Sequence, residues 1–218
     1  STKESINKIL DGLNWLNLKW DGKIVYQSEN QKRHKKIAEE LLKKGLAYKC
    51  FCSEDELNKM REEAKILKKP FRYNRMWRER NPKEAPKDIK PVIRIKSPTN
   101  GESVINDIIQ GTIKVSNEEM DDFIILRSDG TPTYMLSVVV DDYDMNVSHI
   151  VRGHDHLTNT FRQNVIYDAM KWGKPITSHI PLILGSDGSK MSKRHGAIDL
   201  EEYKIKGILP DALINYML

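Results

Sequence analysis

Apolar residues recur at helical spacing from the first turn of the chain onward. Ile6, Ile9, Leu10, Leu13 and Leu16 share one face, and Ser1 with Glu4 has the spacing of a capping box, which predicts an amphipathic helix at the start. A second helix is predicted from about residue 28 to 45, where Gln31 completes a capping pair with Ser28 and Gly45 sits where a helix-ending glycine belongs. A third opens at Ser53 with Glu56, carries Leu57, Met60, Ala64 and Leu67, and stops at Pro70. From Pro91 the pattern shortens. Residues 92–96, 112–115 and 123–127 are β-branched runs separated by turn signals at Thr99-Asn100-Gly101 and Ser128-Asp129-Gly130. Residues 137–140 and 149–151 read as strands or strand edges. A helix is expected over 159–171, closed by Gly173. The apolar run 180–184 suits a buried strand, and a helical pattern resumes near Leu200. Strand–helix–strand near the end predicts a parallel, doubly wound sheet, and the middle reads as an α+β insertion, so the fold class is α/β.

Composition narrows the class. Of 218 residues, 39% are hydrophobic and 31% charged, with 12 Gly and 9 Pro, which excludes collagen-like and low-complexity chains. No apolar run approaches the roughly 20 residues of a membrane span, and the polar opening residues are not followed by the core of a secretory signal. Two cysteines cannot make a disulfide framework, so the expectation is a cytoplasmic protein with no membrane attachment.

Charge is concentrated. From Lys59 to Lys90 there are twelve Lys/Arg against five Asp/Glu, a net of +7 in a chain whose total is +5, so the remainder sums to −2. Arg72, Arg75, Arg78 and Arg80 alternate with Phe71, Tyr73 and Trp77. Basic groups meet phosphates and aromatic faces stack on bases, which is the footprint of nucleic-acid contact; a solvated helix face followed by a charged loop has the same composition.

A second basic feature, Lys190-Met191-Ser192-Lys193-Arg194, follows a glycine-rich turn. Two lysines three apart on such a loop reach one polyphosphate, and the neighbouring glycines allow close backbone approach. Together with Pro181-Leu182-Ile183-Leu184-Gly185, this loop resembles the signature lysine loop of class I aminoacyl-tRNA synthetases, in the bacterial glutamyl form. A second block agrees: Asp129-Gly130-Thr131-Pro132-Thr133-Tyr134, then Val151-Arg152-Gly153-His154-Asp155-His156, then Asn159-Thr160 and Arg162-Gln163. A third is Leu46-Ala47-Tyr48 leading into Cys50-Phe51-Cys52. The blocks stand in the family's order and span nearly the whole chain.

The resemblance implies a Rossmann-type catalytic domain carrying an acceptor-stem-binding insertion. Residues 1–47 and 132–205 would be two parts of the catalytic domain, 48–131 the insertion and 206–218 the start of a stem-contact region. It implies glutamate activation by ATP with Mg²⁺, then transfer to the 3′ end of tRNA. Lys190 and Lys193 match the catalytic loop, and Lys193, Asp155, His156, Met191 and Ser192 match positions that meet ATP. Tyr134 and Arg152 match glutamate-pocket positions, and at Arg152 a planar guanidinium suits a bidentate grip on a carboxylate. The competing role for Arg152 is a structural salt bridge to Asp141 or Asp142. The tRNA contacts implied are Arg72, Arg75, Arg78, Arg80, Asn159 and Arg162, in a monomer.

Two departures from the family qualify this. Many relatives build a zinc site from a Cys-x-Cys pair and ligands about twenty residues on. Here the corresponding stretch holds Tyr73 and Trp77 and no third cysteine, so Cys50 and Cys52 are expected reduced, without structural zinc. No His-x-Gly-His motif accompanies the lysine loop, and the chain is expected to be a fragment that lacks this motif and the anticodon-binding region. Two further readings follow: a non-catalytic fragment that binds the acceptor stem, and the paralogue that glutamylates a modified tRNA base, glutamyl-queuosine.

Overall fold

Each of the three capped segments becomes a helix, but only one uses the cap its sequence suggests. The computed structural model describes residues 2–184, 188 and 200–217, and these are α1 (Lys3–Trp15), α2 (Gln31–Lys43) and α3 (Glu54–Ile66). At α3 the capping box closes in both directions. Ser53 Oγ accepts from the Glu56 amide at 3.2 Å, and Glu56 Oε2 accepts from the Ser53 amide at 2.7 Å. At α1 the cap is Thr2, whose hydroxyl accepts from the Ser5 amide at 3.2 Å; Ser1 lies outside the described residues. Ser28 falls inside a 3₁₀ turn, Gln27–Asn30, that leads into α2 without a side-chain cap. Gly45 ends α2 as predicted. At φ +69° it is left-handed, which lets the Leu46 amide reach the Leu41 carbonyl at 3.0 Å.

The described residues divide into two units, Tyr26–Pro181 and Ser1–Val25 with Leu182–Leu218. Beyond α2 and α3, the first contains β1 (Ala47–Cys50), β2 (Val92–Ile95), β3 (Glu102–Asp107), β4 (Gly111–Ser116), β5 (Ile124–Leu126), α4 (Tyr134–Asp144), β6 (His149–Gly153), α5 (Leu157–Met170) and β7 (Ile176–Ile180). One sheet is antiparallel, in the order β1-β2-β5. The other runs β4-β3-β7-β6. In it β6 and β7 pair in parallel over five positions, His149↔Ile176 to Gly153↔Ile180, with α5 as the crossover. The predicted parallel strand–helix–strand unit is therefore present. The β3–β4 hairpin joins the same sheet through one parallel register pair, Asp107↔Thr177.

Three expectations need correction. Residues 137–140 are not strand; they lie in α4, where Leu136, Val139 and Val140 point into the core at helical spacing. Their β-branching disfavours a helix by only tenths of a kcal/mol per residue, less than burial returns. The buried strand near 180 starts earlier, at Ile176. Its interior is Thr177, Ser178 and His179, all buried, while Ile183 and Leu184 of the apolar run are more than half exposed. The helix expected to close at Gly173 ends instead at Met170, and its cap residue Lys171, not the glycine, takes the left-handed φ of +57°. Strands β1 and β3 carried no run strong enough to predict them.

The main core joins α2, α4 and α5 to both sheets, with Ile37, Leu41, Ile95, Ile125, Leu136 and Ile166 all but inaccessible. A smaller cluster under α3 contains Tyr48, Cys50, Tyr73 and Trp77. Beside it lies the fully buried carboxylate of Asp122. Its Oδ1 accepts from the Ser97 amide at 2.9 Å and Arg78 Nη1 at 2.8 Å, and its Oδ2 from the Tyr48 hydroxyl at 3.0 Å. Arg75 Nε stands 3.5 Å from Oδ1. Arg94 donates to the Asp122 carbonyl at 2.7 Å while its guanidinium lies 3.9 Å from the centre of the Tyr73 ring.

The second unit contains α1, α6 (Leu200–Ile205) and α7 (Pro210–Met217). A Cβ on Gly12 of α1 would come within 3.1 Å of Leu200 Cδ1, so the glycine permits the close approach of α1 and α6.

Two stability outcomes follow from these contacts. The Glu56 carboxyl is held below its usual range chiefly by the Ser53 amide. A depressed folded value contributes stability above the unfolded value of about 4.3 and loses it as pH falls through the folded one. Glu56→Ala should therefore cost roughly 0.5–1 kcal/mol near neutrality, a difference from wild type that closes in acid, in urea unfolding at the two pH values. Arg78→Ala, by leaving Asp122 buried and short of a cation, should cost about 3 kcal/mol or more. Arg80→Ala, whose partner Glu84 is a surface residue, should cost under about 1 kcal/mol in the same assay.

Candidate active site and nucleic-acid face

In a parallel sheet, ligands collect beyond the carboxyl ends of the strands. Arg152 stands at that end of β6, one register position from Gly153 and directly across from His179 of β7. Its guanidinium is held on three sides. Nε donates to His179 Nε2 at 3.0 Å, and Nη2 donates to Thr160 Oγ1 at 2.6 Å and to Gln163 Oε1 at 2.8 Å. The bidentate Nε/Nη2 edge is thus engaged by the protein, and Nη1 is the nitrogen left without a hydrogen-bond partner among the described residues. The salt bridge weighed for Arg152 does not use Asp141, which is engaged elsewhere. That carboxylate accepts from Asn30 at 2.9 Å and Gln27 at 3.3 Å, and pairs with buried His34 at 2.7 Å. Asp142 is half-buried. Burial raises its carboxyl above the usual range, Asp141 adds to the rise, and Arg152 opposes it.

Gln163 Nε2 and the Tyr167 hydroxyl are buried without hydrogen-bond partners among the described residues, and burial followed by the Asp142 charge pushes the Tyr167 hydroxyl up. Tyr134 opens α4, with its side chain nearly half exposed. Asp155 and His156 form an exposed 3₁₀ turn directly after β6, where His156 Nδ1 meets Asn159 Nδ2 at 3.1 Å. Lys190, Met191, Ser192 and Lys193 lie outside the described residues.

The basic window separates into two kinds of arginine. Arg75 and Arg78 turn inward to Asp122, with side chains 26% and 20% exposed, and Arg75 also donates to the Met120 carbonyl. Arg72 and Arg80 are 41% and 42% exposed; Arg72 donates to the Glu118 carbonyl at 3.4 Å and stands 3.9 Å from Glu119, and Arg80 pairs with Glu84 at 2.9 Å. Arg162, 42% exposed, has Asp121 at 3.5 Å. The stacking surface expected of the interleaved aromatics is not formed as a set, because Tyr73 and Trp77 are 3% exposed core residues and only Phe71 faces solvent. Arg80 covers the Trp77 ring at 4.6 Å.

Cys50 and Cys52 are free thiols. Cys50 donates to the Tyr73 hydroxyl at 3.3 Å, and that oxygen accepts from the Trp77 amide at 3.0 Å. Burial, then Glu56, pushes the Cys52 thiol up to about 12. Among the described residues no three His, Cys, Asp or Glu side chains are placed to hold a metal, so His154 and His156 also gain no further ligands.

Sequence reasoning missed Asp107, His179 and Asp122. The one signal for His179 is a polar triplet, Thr177-Ser178-His179, inside an otherwise apolar strand. Asp107 and Asp122 carry no local signal, since their partners come from distant parts of the chain.

Glutamate–tRNA ligase 1 of Acidiphilium cryptum is 56% identical over 218 residues, all of this chain and 47% of that protein. The glutamate–tRNA ligase of Afipia carboxidovorans is 55% identical over 217 residues, 46% of its length. The chain thus spans about half the length of the curated relatives it matches. A crystal structure of a glutamate tRNA ligase from Elizabethkingia meningosepticum in complex with its amino acid superposes with a TM-score of 0.78 at 30% identity, over 89% of this chain and 43% of that one. The sequence family described as tRNA synthetases class I (E and Q), catalytic domain, matches residues 1–218, and the chain belongs to it.

Proposed function

We propose that the chain is the part of a glutamate–tRNA ligase that holds glutamate, contributes to ATP binding and meets the acceptor end of tRNA. The observation that carries this is Arg152, fixed at the carboxyl end of β6 by three side chains, with Nη1 left without a hydrogen-bond partner among the described residues. In this proposal Arg152 and Tyr134 receive the amino acid, and the side-chain carboxylate is met by Nη1 rather than by the occupied edge. Asp155 and His156 lie beside the ATP ribose and base. On the family motif, Lys190 and Lys193, with Met191 and Ser192, would serve the ATP phosphates, whose negative charge Mg²⁺ brought with ATP would share.

Activation forms a bond from the glutamate α-carboxylate to the α-phosphorus of ATP and releases pyrophosphate. The terminal ribose hydroxyl of tRNA then takes the glutamyl group and releases AMP. The protein supplies position and positive charge and forms no covalent intermediate. We further propose residues 48–131 as the acceptor-stem insertion, between catalytic parts 1–47 and 132–205, with 206–218 opening the stem-contact region. Arg72, Arg80, Asn159 and Arg162 are the tRNA contacts, while Arg75 and Arg78 serve them by holding the insertion's frame. Work in the cytoplasm, as a monomer, is proposed on the family alone; no described helix is long and apolar enough to cross a membrane.

In the full-length protein, Arg152→Ala should raise the glutamate KM in ATP–pyrophosphate exchange by roughly ten- to hundredfold. Lack of glutamate-dependent exchange in the wild type would overturn the ligase reading, and tRNA binding without exchange would favour a stem-binding role. Arg72→Ala with Arg80→Ala should lower the slope of log affinity for tRNA against log salt by about one for each arginine replaced, and Arg75→Ala should leave that slope unchanged.

A further inference from the structure

Two buried side chains stand behind Arg152 and have been given no part in the reaction. Asp107 closes β3, and His179 lies in β7 with no accessible surface. Asp107 Oδ1 accepts three backbone amides, from Ile109 at 3.1 Å, Gln110 at 3.0 Å and His179 at 3.0 Å. Its Oδ2 is 2.6 Å from His179 Nδ1. On the far side of the ring, His179 Nε2 is 3.0 Å from Arg152 Nε and 3.3 Å from Thr160 Oγ1.

These contacts determine where the imidazole proton sits. A guanidinium only donates, so Nε2 must present its lone pair to Arg152. The single proton of the neutral ring is then on Nδ1, directed at a carboxylate that only accepts. We propose that Asp107 and His179 are positioning residues for Arg152: the carboxylate fixes the ring's tautomer, and the ring's Nε2 sets the plane of the guanidinium. This rests on the reading that Arg152 receives glutamate. It goes further by making that grip depend on β3, a strand within the proposed insertion. Asp107 suits the task because it stays ionised. Burial works against its charge, but the amides of Gln110 and His179 and the His179 ring hold its carboxyl well below the usual range.

Asp107→Asn separates positioning from mere support. Three amides demand an acceptor at Oδ1, so the new NH₂ must take the Oδ2 place and donate to Nδ1. The ring proton moves to Nε2 and meets the Arg152 Nε–H, with nearly every atom still in position. In the full-length protein, ¹⁵N NMR of the imidazole should show the proton on Nδ1 in the wild type and on Nε2 in the variant. The glutamate KM should rise about tenfold or more while the ATP KM holds. A second pair leaves the carboxylate intact. His179→Gln keeps an acceptor oxygen toward Arg152 and should keep the glutamate KM within about threefold, whereas His179→Leu removes it and should match Asp107→Asn. A wild-type proton on Nε2, equal KM changes for ATP and glutamate, or indistinguishable Gln and Leu variants would overturn the proposal. An Arg152→Ala protein with an unchanged glutamate KM would instead remove the function reading and leave the tautomer result standing.

Discussion

A carboxylate taken out of water has to be surrounded by donors, and much of Tyr26–Pro181 is arranged to meet that demand. Three aspartates illustrate it. Asp107 reaches His179, 72 positions away; Asp122 reaches Tyr48, 74 away; Asp141 reaches His34, 107 away. Each ties segments that lie far apart in the sequence. Apolar packing tolerates sliding, whereas a buried charge loses its donors if the partner moves by an ångström. The aspartates therefore contribute alignment more than cohesion. Asp141 locks α2 to α4, Asp122 gathers β1, the basic loop and the segment after β2, and Asp107 joins the hairpin to the parallel strands.

This division explains why the basic window contains two populations of arginine. A stretch that must bind a polyanion needs outward charge, but the same stretch has to fold, and folding it around buried Asp122 takes cations inward. Arg75 and Arg78 satisfy the second requirement, and Arg72 and Arg80 stay available for the first. Composition counts all four alike. The interleaved aromatics divide in the same way, with Tyr73 and Trp77 packed beneath the loop and Phe71 outside.

How far the sequence could be read depended on whether the signal was local. The α3 capping box, the Gly45 stop and the strand–helix–strand unit are written in neighbouring residues, and all are present. Residues 137–140 misled because β-branching is a weak local preference that burial in α4 overrides. Strand β7 was displaced for the converse reason: its buried centre is polar, and hydrogen-bond partners far along the chain make that tolerable. In the candidate site, Arg152 and Tyr134 were legible as motif positions. Of the groups around Arg152, Thr160 and Gln163 stand in the same motif block, whereas His179 and Asp107 were not legible, because nothing near His179 in sequence announces Asp107.

The single register pair between β3 and β7 has a consequence for which changes in length the chain can absorb. The anchor lies at the turn of the hairpin, where Asp107 faces Gly111, while toward Glu102 and Ser116, at the open end, β3 pairs only with β4. At the anchor the four residues from Asp107 to Gln110 supply a carboxylate, two backbone amides and a side-chain amide that reaches the His179 carbonyl at 2.8 Å. One residue gained or lost there turns the carboxylate to the opposite face of the sheet. Homologous chains should therefore hold the residue count constant from Asp107 to Gly111.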